Sequence, residues 1–332
     1  MNKLLFLMTL IISTLMTISS NSWFGMWMGL EINLLSIIPL MNNSSLLNQS
    51  EASLKYFLIQ ALASTILMFS LILMNKFQFF MINKYNYSLM IMFNSALLMK
   101  MGAAPFHFWL PEIMEGLNWF NCFIILTWQK IAPMQLIFIN NSTFLIIVII
   151  LSMMISGIMG LNQISMRKIL AYSSINHIGW MLTSLMFMKS IWMFYFITYF
   201  ILSLNLILIL NKFNVFNILQ LFNLFNKNNI MKFNFMINFF SLAGLPPFLG
   251  FLPKWLTIQM TINSNMMIFS FLLMILTLLT MYYYIRLMFN ALMFNSFKIK
   301  FKTTNFNSYF IIFMNMISLM SLLIITLIMN LN

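Results

Sequence analysis

Apolar runs of about 20 residues follow one another along nearly the whole chain, with only short polar stretches between them. One such run is as long as the hydrocarbon core of a bilayer is thick when wound as a helix. The runs lie at about 4–20, 23–41, 53–75, 88–110, 118–139, 143–161, 167–187, 190–211, 234–260, 263–290 and 307–330. They predict an all-α membrane protein of about eleven transmembrane helices. They are too long for barrel strands and lack the alternation of a β-barrel. Composition excludes the other classes. Of 332 residues 62% are hydrophobic and 6% charged, with a mean hydropathy of +0.95. A soluble domain is about one-quarter charged. So few charges cannot cover a 39.1 kDa globule, and this chain is neither soluble nor disordered.

The charge that remains is lopsided. Seventeen basic residues stand against four acidic ones, Glu31, Glu51, Glu112 and Glu115, for a net charge of +13. The basic residues are scattered, so no nucleic-acid face is expected. Loop lysines facing anionic phospholipids such as cardiolipin are the simpler reading. The single cysteine, Cys122, excludes an internal disulfide and a cysteine-based metal or iron–sulfur site. Thirty-six methionines, with abundant Asn, Ile, Phe and Lys, suit an AT-rich, mitochondrial type of gene. Met1–Lys3 leads straight into the first apolar run, which is expected to be a transmembrane helix. With an odd number of spans, one face receives Lys3, Arg167, Lys168, Lys212, Lys227, Lys232, Lys298, Lys300 and Lys302. The other receives Lys76, Lys84 and Lys189. The positive-inside rule then predicts an inner N-terminus and an outer C-terminus. In a mitochondrion these faces are the matrix and the intermembrane space.

Ionisable groups inside the spans are expensive and mark function by default. Glu31 lies in GLEINLLS, Lys100 in ALLMKMGAAPFHFW, Lys130 in TWQKIAP, His177 in AYSSINHIG and Lys254 in GLPPFLGFLPKW. Lys55 lies near one end of its span, where it can snorkel to the interface. Three mid-membrane lysines face one mid-membrane carboxylate, so pairing within the chain cannot neutralise them all. Desolvation favours the neutral form of such a group, which then accepts and releases protons.

The fourth and ninth runs are also interrupted, one at Gly102–Pro105 beside Lys100, the other at Gly244–Pro247 before Lys254. Pro105, Pro246 and Pro247 remove backbone donors. Interrupted helices at corresponding places in two halves point to inverted repeats around a transport site. The expected division is residues 1–140 and 141–292 as two five-helix repeats, then 293–332 as a loop and last helix. The two discontinuous helices are each fourth in their repeat. The fifth helices correspond too, with Lys130 in one and Arg286 at the end of the other.

The strings WMGLEINLLS, EASLKYFLIQALAS, KMGAAPFHFWLPE, TWQKIAP, MRKILAYSSINHIGW and SLAGLPPFLGFLPKW occur in that order. Together they resemble the antiporter-like membrane-arm subunits of respiratory complex I, NADH:ubiquinone oxidoreductase, in their short, mitochondrially encoded animal form. The resemblance covers about residues 20 to 290. It implies that Glu31 pairs with and modulates Lys100, that Lys130 bridges two half-channels, and that Lys254 is the terminal lysine. It places His177 on the hydrated central axis. It implies no cofactor on this chain, with FMN, iron–sulfur clusters, NADH and ubiquinone held by other subunits. It also implies neighbouring membrane-arm subunits as partners and the mitochondrial inner membrane as location. Alternatives stay open: a free-standing cation/proton antiporter, a passive scaffold with His107, Trp109 and Pro111 structural, or a haem protein using His107 and His177. No c-type haem motif supports the last.

Overall fold

The computed structural model describes residues 2–42, 47–78, 83–140, 142–225 and 229–293. The elements, in chain order, are α1 (Asn2–Ser19), α2 (Trp23–Met41), α3 (Leu47–Gln78), α4 (Asn83–Met101), α5 (Trp109–Gly116), α6 (Trp119–Leu126) and α7 (Trp128–Ile139). Then come α8 (Phe144–Leu161), α9 (Met166–Phe187), α10 (Lys189–Phe213), α11 (Ile218–Phe225), α12 (Asn229–Ala243), α13 (Phe251–Asn263) and α14 (Met267–Met293). Among the described residues the architecture is all-helical, as the apolar runs predict. Within it, Trp23–Met41, Leu47–Lys76, Trp119–Ile139, Phe144–Leu161, Lys189–Phe213 and Met267–Phe289 are long and apolar enough to cross a membrane.

Helix α3 shows why these sequences suit lipid. Leu58, Leu62, Phe69 and Ile72 are exposed, while Gln60, Ser64 and Ser70 are buried. These polar residues face inward beside Ala63, Leu67 and Leu71, while leucine, isoleucine and phenylalanine face outward, where a helix in water carries polar residues. The inward hydroxyls are satisfied by their own helix: Ser64 donates to the Ala61 carbonyl at 2.8 Å and Ser70 to Leu67 at 2.7 Å. Where no water competes, each such bond removes a cost of several kcal/mol, roughly, for an orphaned polar group.

Contacts divide the chain into two units, residues 1–152 and 153–332, with the division inside α8. In the first unit α2 packs between α1 and α3, α3 packs on α4 and α5, and α7 packs on α1, α4 and α6. In the second, α9 packs on α10 and α13, α12 packs on α10, α11 and α14, and α13 packs on α10 and α14.

The structure corrects three expectations. The fifth run, read as one helix over 118–139, is two helices, α6 and α7, parted at Thr127. There the Thr127 hydroxyl competes for the Phe123 carbonyl at 2.7 Å. Pro133 offers no N–H to the Gln129 carbonyl one turn back. The segment at about 212–233, read as a loop, contains α11. Its entry is capped by Gln220, whose side-chain oxygen accepts from the N–H groups of Phe216 and Asn217 at 2.8 and 3.3 Å. The third run extends beyond 53–75 at both ends. The expected last helix at 307–330 and Lys298, Lys300 and Lys302 lie outside the described residues.

Candidate functional site

The two interruptions close in the same way. Helix α4 ends with Gly102 at φ 75°, where its N–H bonds the Met99 carbonyl at 3.2 Å and the Ala103 N–H bonds Leu98 at 3.1 Å. Helix α12 ends with Gly244 at φ 82°, where its N–H bonds Ser241 at 3.1 Å and the Leu245 N–H bonds Phe240 at 3.2 Å. Each is a Schellman end, whose left-handed residue is glycine because a Cβ is strained there. Such an end still leaves helix carbonyls needing donors inside the membrane.

At the first break those donors are side chains. Gln60 of α3 donates its amide to the Lys100 carbonyl at 3.2 Å, and the Trp109 indole donates to Met99 at 3.1 Å. Lys100 occupies the last turn of α4 and is 6% exposed. The Glu31 carboxylate, on α2, is the charged group whose field reaches it. Among the described residues the two make no direct ion pair, and Glu31 Oε2 is buried without a hydrogen-bond partner. Lys130, on α7 three residues beyond the Thr127 interruption, is 1% exposed. Its neighbour Gln129 accepts from the Tyr56 hydroxyl at 3.3 Å and donates to Asn33 at 2.8 Å. Tyr56 and Gln60 lie one turn apart on α3, so that helix holds both lysine-bearing helices through polar bonds. Gln60→Leu should leave the Lys100 carbonyl short of a donor and cost about 1–3 kcal/mol. The thermal unfolding midpoint of the detergent-solubilised protein is expected to fall; an unchanged midpoint would refute this account.

At the second break the lysine itself is the donor. Lys254 lies in the first turn of α13, and its Nζ donates to the Ala243 and Leu242 carbonyls at 2.8 and 3.2 Å. These are the last carbonyls of α12, where a helix carries partial negative charge. A helix end thus supplies Lys254 with the counter-charge that Glu31 supplies to Lys100. The ammonium also stands 6.0 Å from the centre of the Trp180 ring. One turn before Trp180 on α9, His177 is buried, with Nδ1 2.9 Å from the Tyr195 hydroxyl and its ring 5.0 Å from that of Tyr199.

Three further candidates stand elsewhere. Lys55 pairs with Glu51 at 3.0 Å and Glu112 at 3.3 Å, with its side chain 44% exposed, apart from the buried lysines. His107 sits after Pro105, its Nδ1 3.3 Å from the Pro105 carbonyl. Arg286 of α14 donates to the Leu161 carbonyl at 2.9 Å, holding the C-terminal end of α8. Among the described residues no group of three or more His, Cys, Asp or Glu converges as a metal site. Sequence reasoning missed Asn33, Tyr56, Gln60, Gln129 and Tyr195. Each is a polar residue within an apolar run, and Tyr56 with Gln60 shows the spacing of one helix face.

Residues 20–280 match the family model described as NADH:quinone oxidoreductase/Mrp antiporter, TM. NADH-ubiquinone oxidoreductase chain 2 of Aedes aegypti is 53% identical, over 98% of this chain and 97% of that protein. The Lemur catta protein of the same name is 40% identical, over 87% and 85% respectively. Among solved structures, a chain of respiratory complex I from Thermus thermophilus, with bound Aureothin, superposes with a TM-score of 0.83 at 21% identity, covering 96% of this chain and 78% of that one. A chain of the Mrp complex from Dietzia sp. superposes at 0.72 with 17% identity, covering 85% and 59%. The near full-length match to named relatives, on a fold shared with complex I and Mrp chains, means that this chain belongs to the NADH-ubiquinone oxidoreductase chain 2 family.

Proposed function

We propose that this chain translocates protons as a membrane-arm subunit of NADH:ubiquinone oxidoreductase, through Glu31, Lys100, Lys130, His177 and Lys254. The observation that carries the reading is the placement of the lysines. All three are at most 6% exposed, and two of them stand at glycine-closed helix breaks. Broken backbone at membrane depth is tolerated where it is buried or lines water. The two breaks are read as discontinuous helices, fourth in each of two inverted five-helix repeats, in a chain of about eleven spans. The lysine excess in the loops supports a matrix N-terminus in the mitochondrial inner membrane. Neighbouring membrane-arm subunits, and anionic lipid such as cardiolipin, are the expected partners. FMN, iron–sulfur clusters, NADH and ubiquinone belong to other subunits in this reading.

The chemistry follows from the charges. With the Glu31 carboxylate near, a protonated Lys100 is balanced; when that field is withdrawn the proton moves on. Lys130 is the next acceptor and Lys254 the last, with the end of α12 ready to receive an ammonium. Each transfer changes the field at the next site and so couples them. Near full-length identity to complex I subunits favours this over a free-standing antiporter. In the assembled complex, Lys130→Met keeps the volume and removes the proton carrier. Proton pumping is expected to fall by about 10²-fold, the usual size of an acid–base contribution, with the complex still assembled. An unchanged ratio of protons pumped to electrons transferred would refute the pathway.

A further inference from the structure

After Glu115 the chain carries no aspartate or glutamate, yet twelve lysines and arginines follow. Three of them, Arg167, Lys168 and Lys212, stand at the corner where α9 begins and α10 ends. We infer that this corner binds the phosphate headgroup of an anionic phospholipid, with Ile164 and Leu219 set among its acyl chains. The inference rests on the reading of anionic lipid as a partner of this chain and gives that lipid a place. An antiparallel bridge between Ser165 and Asn217 builds the corner. The Met166 N–H donates to the Phe216 carbonyl at 2.8 Å, and the Ile218 N–H donates to the Ile164 carbonyl at 3.2 Å. These bonds tie the start of α9 to the segment that joins α10 to α11. The Arg167 guanidinium stands over the Phe216 ring, 4.6 Å from its centre, a contact that holds the side chain at the bridge.

Charge makes the ligand an anion. The four glutamates are engaged elsewhere: Glu31 acts on Lys100, while Glu51, Glu112 and Glu115 line one pocket with Lys55. A counter-charge for the corner therefore comes from another molecule. Lys212 is exposed and Arg167 and Lys168 are half-buried, so a headgroup can reach all three. The fork of donors on an arginine suits two phosphate oxygens, and lysines add point charges. Apolar exposure makes the ligand a lipid. Ile164 is 68% exposed and Leu219 70%, and the bond between Ile164 and Ile218 sets the two near each other. Helix α11, with the sequence ILQLFNLF, buries Leu221 while Leu219 stays outside. Aliphatic side chains beside cations match an amphiphile, acyl chains beneath a charged headgroup, better than they match an acidic peptide in water.

The test uses the assembled complex, stripped of bound lipid and returned to phosphatidylcholine vesicles that carry a photoactivatable cardiolipin. After illumination the label is expected on peptides that contain Arg167, Lys168 or Lys212. Near an anionic surface each cation is worth about fivefold in affinity, so Arg167→Gln with Lys168→Gln should cut that labelling about 25-fold at limiting probe. Lys189→Gln, predicted on the opposite face, is the control and should leave it unchanged. Equal labelling of wild type and double variant overturns the inference. So does displacement of the probe by inorganic phosphate but not by chloride at equal ionic strength, which assigns the corner to free phosphate. A carbodiimide cross-link from Lys168 to a carboxylate of another subunit overturns it in favour of a protein contact. Label elsewhere on the chain, with none at the corner, overturns the inference and keeps anionic lipid among the partners; no label anywhere on the chain overturns that reading as well. If the double variant fails to assemble, Lys212→Gln, expected to label about fivefold less, decides in its place.

Discussion

Gly250→Ala is expected to prevent the subunit from accumulating in its membrane. Gly250 caps the start of α13, directly after the second break, where its backbone lies against Ser241 of α12. A methyl group there would coincide with the Ser241 carbonyl oxygen. That oxygen belongs to the backbone turn that accepts the Gly244 N–H, so it cannot swing aside as a side chain would. Relief requires parting α12 from α13 and undoing the Lys254 bonds across them. Overpacking of this kind costs about 3 kcal/mol or more, a large share of a domain's stability. Gly160→Ala is the control. Its new methyl meets the Tyr283 ring at 3.2 and 3.4 Å, a side chain able to give by tenths of an ångström. Immunoblots of membranes and native gels of the assembled complex should show loss for Gly250→Ala and near-normal levels for Gly160→Ala. Equal levels for both would sink the account.

Gly244→Ala should assemble poorly, and what assembles should pump like a Lys254 variant. Two effects add at this position. Gly244 has φ 82°, and a Cβ costs about 1–2 kcal/mol in the left-handed region. The same Cβ would stand 2.8 Å from Lys254 Cδ and 2.9 Å from Nζ. The lysine chain must leave, and the Ala243 and Leu242 carbonyls lose the ammonium that joins them. Proton pumping per electron is therefore expected to drop to the level of Lys254→Met. Adding Lys254→Met to Gly244→Ala should change it no further, because the site is already empty of its lysine. Full pumping in Gly244→Ala would mean that the lysine does not need the helix end.

Much of this was legible in the sequence because lipid imposes strict rules on backbone and charge. Twenty-residue apolar runs become helices because no other local structure satisfies every N–H and C=O. Trp23–Met41 matches its predicted run at both ends. GAAP and GLPP announce helix ends because glycine permits positive φ and proline offers no donor, and both helices end there. The Thr127 interruption was not legible, since a hydroxyl bonded one turn back bends some helices and leaves others, such as α3, unbroken. Helix α11 was missed because its eight residues are too few to stand out from a loop by length.

For the candidate site the division is sharper. Sequence alone selected Glu31, Lys100, Lys130, His177 and Lys254, because a charge or imidazole inside an apolar run is costly enough to need a reason. It also determined the helical class and the two glycine–proline interruptions. Only the tertiary structure decided which group answers each lysine. Glu31 reaches Lys100 by its field without direct contact, whereas Lys254 rests on the carbonyl end of α12. Gln60, Tyr56 and Tyr195 gained their roles the same way, from partners 18 to 73 residues distant in the chain. The reason is physical. The cost of a buried charge or hydroxyl is a property of the residue and can be read one position at a time. The partner that offsets it comes from another helix, and helix packing sets which side chains meet.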